Sequence, residues 1–272
     1  MREVLAASRP FSWVNTAYPF AAGYLMATGG RLDATFVLGT LFFLVPYNLA
    51  MYGVNDVFDY ASDLRNPRKG GIEGALVAPE RARAVHRRIL AAAAVTVLPF
   101  VAYLVVVGYS APGLRFKERP VLDSVTSAMH FVGPLLYALV LVGAPLGART
   151  TWPVLVAFVA WGMASHAFGA VQDVRADREA GIASVATVLG ARATTRAAVA
   201  AYLLAAGVLL VLPWPGTLAA VLPLPYAVST ARFWAVRDED CERANTGWRT
   251  FLVLNLVVGF LVTMLLIAIA RS

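Results

Sequence analysis

Two stretches of this sequence carry carboxylates at helical spacing. The first is Asn55-Asp56-Val57-Phe58-Asp59-Tyr60-Ala61-Ser62-Asp63. Offsets of three and four put Asp56, Asp59 and Asp63 on one helical face, and Asn55 lies four residues before Asp59. Carboxylates stacked this way repel one another unless a cation intervenes. Hard oxygen ligands at this spacing suit Mg²⁺, which keeps several waters and is shared with phosphate oxygens. The second stretch is Gln172-Asp173-Val174-Arg175-Ala176-Asp177-Arg178-Glu179-Ala180-Gly181, with Asp173 and Asp177 one turn apart. Alone, such a pair is common. Matched with the first stretch, it points to two carboxylate sets holding a diphosphate through bridging Mg²⁺. A solvated acidic helix end is the plainer reading. It fits poorly, because each set directly follows an apolar run, and ionisable groups at membrane depth are costly and functional.

A departing phosphate needs fixed cations, and candidates lie between the two sets in Tyr109-Ser110-Ala111-Pro112-Gly113-Leu114-Arg115-Phe116-Lys117-Glu118-Arg119-Pro120. Arg115 offers a bidentate fork and Lys117 a point charge. Both also suit ordinary topological charge, which is the better reading of Arg119. Arg65, Arg68 and Lys69 in Arg65-Asn66-Pro67-Arg68-Lys69-Gly70-Gly71 fit either role.

The elements that must position these groups are membrane helices. Of 272 residues, 59% are hydrophobic and 14% charged, against roughly 25% charged in soluble domains, and the mean hydropathy is +0.68. Eight apolar runs stand out: Trp13–Thr28, Ala34–Val54, Ile89–Gly108, Val125–Leu146, Trp152–Ala170, Thr194–Leu212, Gly216–Trp234 and Thr250–Ala270. A helix needs about 20 apolar residues to cross hydrocarbon. The expectation is an all-α, polytopic membrane bundle in one domain, residues 1–272, with eight clear spans.

Charge placement gives the orientation. With both acidic sets on one face, that face holds 20 of the 23 Lys and Arg residues, leaving Arg31, Arg149 and Arg271 opposite. It also holds every acidic residue except Asp33. Cations in short loops stay cytoplasmic. The net charge of +7 is therefore read as a topology signal, and nucleic acid is not an expected partner. Cys241 is the single cysteine, so neither an intramolecular disulfide nor a cysteine metal cluster is expected. No cleavable leader is expected either, because Arg2 and Arg9 run straight into the first apolar stretch.

One segment strains this topology. Only 26 residues separate Ala84 from Tyr109 inclusive, with Pro99 near the middle. Two crossings need roughly 40 residues. A helix from about Arg81, followed by a short re-entrant piece bent at Pro99, would keep both acidic sets on the same side.

These motifs resemble the UbiA superfamily of intramembrane prenyltransferases, marked by N-D-x-x-D-x-x-x-D and a later D-x-x-x-D. The resemblance covers nearly the whole chain. It includes Arg9-Pro10 before the first span, the Tyr-x-x-Pro…Arg-x-Lys segment, and Gly181 leading to Leu189-Gly190. Tyr52-Gly53-Val54-Asn55-Asp56, the Asn66–Ala75 stretch and Leu114–Pro120 look like the lycopene elongase branch. The resemblance implies nine helices, so a ninth short or re-entrant one between Ala84 and Tyr109. It implies transfer of dimethylallyl units from their diphosphate to the ends of lycopene, with Mg²⁺ on Asn55, Asp56, Asp59, Asp63, Asp173 and Asp177. The diphosphate would meet Arg68, Lys69, Tyr109, Arg115 and Lys117. The active-site loops would lie on the cytoplasmic side of the cell membrane.

Asn15, Asn48, His130, His166 and Asn255 sit within apolar stretches. They either line a cavity or bond to a neighbouring helix. Tyr18, Tyr24, Trp13, Trp152 and Trp161 could face a carbocation, interfacial and packing roles being the alternative. Three other functions compete. A quinone-precursor aromatic acceptor keeps the same chemistry. A cation transporter would carry its charges at the bilayer midplane. A phosphatidyl-alcohol transferase would need a leading Asp-Gly-x-x-Ala-Arg, which neither motif has.

Overall fold

A computed structural model describes residues 2–60, 77–97 and 115–271. Secondary structure there is helical throughout, with no strand among the described residues. Four helices are long and apolar enough to cross a membrane: Ala34–Phe58, Leu122–Leu141, Trp152–Val171 and Asp238–Ile269. These match four of the eight runs expected from sequence.

Three of the other four runs form shorter or more polar helices, and part of the fourth, Ile89–Gly108, lies outside the described residues. The Val14–Thr28 helix has 15 residues, about 22 Å at 1.5 Å each, and carries Pro19. The Ala191–Leu209 helix opens with Arg192 and Arg196 in its first two turns. The run from Gly216 is divided into a 3₁₀ segment, Gly216–Val221, and the eight-residue helix Leu224–Ala231, with Pro223 and Pro225 at the junction. The Pro79–Val97 helix starts ten residues before its apolar run, so its first half is basic. That agrees with the helix anticipated from about Arg81. Pro99, Tyr109 and the bend expected there lie outside the described residues.

The chain forms two compact units, Met1–Ala21 with Arg31–Phe116, and Ala22–Gly30 with Lys117–Ser272. In the first, Asp33 caps the long helix by accepting from the Phe36 N–H at 3.0 Å. Pro46 then interrupts that helix, since it has no N–H to donate. A π-helical turn over Leu49–Gly53 follows, and Val54–Phe58 carries the helix to the first acidic set. Asn48 repairs the interruption. Its buried amide donates to the carbonyls of Phe43 and Leu44 at 2.9 and 3.0 Å and to Thr16 Oγ1 at 2.6 Å. Of the two roles open to Asn48, the structure shows the helix-bonding one.

In the second unit, the Leu122–Leu141 and Trp152–Val171 helices approach closely. A Cβ on Gly162 would lie 2.9 Å from the Cβ of Ala128. Small residues at such crossings let backbones come together where lipid offers no hydrophobic drive. The Ala191–Leu209 helix brings buried Tyr202, whose hydroxyl lies 3.0 Å from Ser165 Oγ. Phe168, Val171, Val174, Tyr226 and Phe251 complete this core. Outward, Val253, Leu256, Val257, Phe260 and Leu261 of the last helix are exposed. A continuous apolar surface of this kind suits lipid and not water.

Candidate active site

The first acidic set is presented by the helix that follows the π turn. Single π turns inside helices recur at functional sites because they re-aim the residues beyond them. Asp56 is buried, at 6% exposure, and its Oδ1 lies 3.1 Å from Arg9 Nη2. The Arg9 guanidinium also stacks on Tyr52, 4.5 Å from the ring centroid. Asp59 ends the helix, its N–H donating to the Asn55 carbonyl at 2.9 Å. Arg115 Nη2 stands 3.9 Å from Asp59 Oδ1. The structure thus puts Asn55, Asp56 and Asp59 on one helix end and brings two guanidinium groups to its carboxylates.

Arg9 and Arg115 share a further feature: both have positive φ, 50° and 35°. Non-glycine residues held there cost about 1–3 kcal/mol each and cluster at functional sites. Val121, just before the second unit's first long helix, is a third case at φ 71°. Nearby in the first unit, His86 packs edge-on to Tyr60, with ring centroids 5.0 Å apart. Burial lowers the His86 pKa from its ordinary value, while the Asp56 charge pulls it back up.

The second set follows the Trp152–Val171 helix. The Asp177 N–H donates to the Asp173 carbonyl at 2.8 Å, so the two residues stand one helical turn apart. Gly181, at φ 72°, closes this short helix, and the Ile182 N–H returns to the Asp177 carbonyl. The basic residues interleaved with these aspartates are otherwise engaged. Arg175 pairs with Glu242, and Arg178 bonds both the Thr187 carbonyl and Asp238. These contacts tie the loop to the segment before the last helix. Gln172 is fixed by Asn245, 2.6 Å away, and Cys241 is buried against the Gln172 carbonyl.

Asp63, Arg68, Lys69 and Tyr109 lie outside the described residues, as does the Lys117 side chain. In neither unit do three or more His, Cys, Asp or Glu side chains converge among the described residues. Each unit instead supplies a carboxylate pair of hard oxygen donors. That donor set fits Mg²⁺, which takes one or two carboxylates and completes its shell with water and phosphate oxygens.

Two groups are poorly marked in the sequence. Arg9 shows there only as a family mark, and its pairing with Asp56 crosses 47 positions. Asp123 belongs to no motif. It is fully buried, and its Oδ2 lies 3.5 Å from His166 Nε2. Its one signal is an acidic residue at the head of an apolar run.

Comparison with known proteins bears on this arrangement directly. The sequence matches the UbiA prenyltransferase family over residues 16–256. The chain belongs to the UbiA prenyltransferase family. It is a prenyltransferase with the all-helical UbiA fold. Over 96% of its length it is 55% identical to a C(50) beta-cyclic carotenoids biosynthesis protein, LbtBC, of Dietzia sp. (strain CQ4). The chain spans 63% of that relative's length. It is 48% identical to a lycopene elongase/hydratase of Corynebacterium glutamicum, over 99% of this chain and 98% of the relative. Among solved structures, a UbiA homolog from Archaeoglobus fulgidus bound to DMAPP and Mg²⁺ superposes with a TM-score of 0.66 at 18% identity. The superposition covers 94% of this chain and 98% of that one.

Proposed function

We propose that this UbiA-type prenyltransferase moves a five-carbon dimethylallyl group from its diphosphate to the ends of lycopene, with Mg²⁺, in C50 carotenoid synthesis. One observation carries the reading: carboxylate sets end two apolar helices in a chain nearly half identical, over its whole length, to a lycopene elongase/hydratase. Asn55, Asp56, Asp59, Asp63, Asp173 and Asp177 would hold the metal. Arg68, Lys69, Tyr109, Arg115 and Lys117 would meet the diphosphate. The Archaeoglobus homolog, solved with DMAPP and Mg²⁺ bound, supports the choice of donor and of metal.

Bound there, Mg²⁺ supplies Lewis-acid stabilisation of the leaving diphosphate. The protein's cations add electrostatic stabilisation at the same place, preorganised by the strained Arg9 and Arg115 backbones. The C1–O bond breaks and its electron pair leaves with the diphosphate. A terminal double bond of lycopene gives its electrons to C1, forming the new C–C bond and a tertiary cation. Loss of a proton or capture of water ends the reaction. The word hydratase in the relatives' name supports the second route. The apolar acceptor would arrive from the bilayer, into a multi-pass protein of the cell membrane with its acidic sets on the cytoplasmic side.

Expression in a lycopene-producing cell tests the acceptor. Pigment extracts should contain C45 and C50 species, and Asp56→Ala or Asp173→Ala should remove them. If the unaltered chain yields neither species, the carotenoid assignment is wrong and an aromatic acceptor takes its place.

A further inference from the structure

The second unit contains a carboxylate–imidazole pair that the transfer step leaves unused. Asp123 begins the Leu122–Leu141 helix with its side chain fully buried. Its Oδ1 accepts the Ser124 N–H at 2.7 Å, and its Oδ2 accepts the Val185 N–H at 2.8 Å. Oδ2 also faces His166 Nε2 at 3.5 Å. A carboxylate held by two backbone donors is ionised and fixed in place. The imidazole faces it through Nε2, so a proton held there leaves the lone pair on Nδ1. His166 Nδ1 has no hydrogen-bond partner among the described residues. His130, the other histidine of these helices, donates instead to its own helix, through Nδ1 to the Thr126 carbonyl at 2.6 Å.

The position of the pair is informative. His166 lies five residues before the end of the Trp152–Val171 helix, which a turn at Gln172-Asp173 separates from the Val174–Glu179 helix that carries Asp177. His166 keeps 20% exposure, so it is reachable, whereas Asp123 behind it is not. The hydroxyl of Ser124 is buried and makes no hydrogen bond among the described residues. It is a polar group at this end of the helix that a water molecule would satisfy.

We propose that His166, oriented by Asp123, is the base that delivers water to the tertiary cation formed by prenyl transfer. Water's oxygen bonds to the cationic carbon. One of its protons passes to His166 Nδ1, and Asp123 stabilises the resulting imidazolium as the carboxylate of a catalytic triad does. The proton is then released to solvent, restoring neutral imidazole. The product is a tertiary alcohol. No oxidant or reductant takes part. His166 is the catalytic residue of this step and Asp123 its positioning residue. The inference rests on the prenyl-transfer reading above and adds how that reaction ends.

Membranes holding the full chain, supplied with dimethylallyl diphosphate, Mg²⁺ and lycopene, provide the test. Total elongated pigment and its hydroxylated fraction are measured separately by mass. The unaltered protein should give mainly hydroxylated product. His166→Gln keeps a donor toward Asp123 without a basic nitrogen. It should still form the C–C bond, while the hydroxylated fraction falls at least tenfold in favour of the unsaturated product. An unchanged fraction in that variant overturns the proposal, as does a purely unsaturated product from the unaltered protein. Absence of any elongated pigment would strike the acceptor assignment first, which separates the two failures. Should His166→Gln not accumulate, the unaltered protein is assayed in D₂O. A hydroxylated fraction at least twofold lower supports the assignment, and an equal fraction overturns it.

Discussion

Arg9 shows what a single residue does at this site. It stacks on Tyr52, pairs with Asp56 and occupies a backbone conformation that non-glycine residues avoid. Removing one partner of a buried pair costs about 3–5 kcal/mol, because the other charge stays buried. Arg9 keeps some exposure, so Arg9→Ala is expected at about 3 kcal/mol, read as a lower thermal midpoint in detergent. Arg9→Lys keeps the charge but loses the planar fork and the stacking. It should fall between the two in stability and in transfer rate. A Lys variant equal to the unaltered protein would show that charge alone matters. The carboxylates give a second residue-scale prediction. Chelation with EDTA should abolish diphosphate release, and added Mg²⁺ should restore it; full release after chelation contradicts a metal role for Asp56, Asp59, Asp173 and Asp177.

At the scale of elements, positioning depends on one broken helix and one close crossing. Pro46 leaves carbonyls without helical donors, and Asn48 takes two of them while also reaching Thr16. Asn48→Ala strands the Leu44 carbonyl at about 1–3 kcal/mol, while the Phe43 carbonyl keeps the Thr16 hydroxyl at 2.7 Å. The expected result is a clearly lower thermal midpoint, together with weaker transfer, because the same helix ends in Asn55-Asp56. Normal stability would show that other donors replace the amide. Gly162 plays the matching part in the second unit. Any Cβ there meets Ala128, so Gly162→Ala must move one backbone, at about 1–3 kcal/mol for overpacking. Because Asp123 and His166 face each other across this same helix pair, the variant should also change the hydroxylated share of product. A changed midpoint with an unchanged product ratio would separate packing from chemistry. The spacing of Asp56, Asp59, Asp173 and Asp177 was legible in sequence because helical periodicity is local. The Pro46 repair and the Gly162 crossing were not, because they join residues from different helices.

Over the whole molecule, the asymmetry of 20 cations against 3 predicts which loops meet the cytoplasm. Cys241 is the only cysteine and is buried, so Cys241→Ala provides a clean background for single introduced thiols. A cysteine at Glu239 should react with an impermeant reagent only from the cytoplasmic side, and one at Arg31 only from the opposite side. The reverse pattern would invert the topology. By itself the sequence determined the helical class, the two acidic motifs, the family and the direction of charge. All of these are written in composition and in spacings shorter than about ten residues. Of the eight runs it marks, four coincide with helices that meet the length and polarity of a crossing among the described residues. Only the tertiary structure paired Arg9 with Asp56 and Asp123 with His166. Those partners are 47 and 43 positions apart, and ion pairing at such separation is decided by helix packing, which no local pattern encodes.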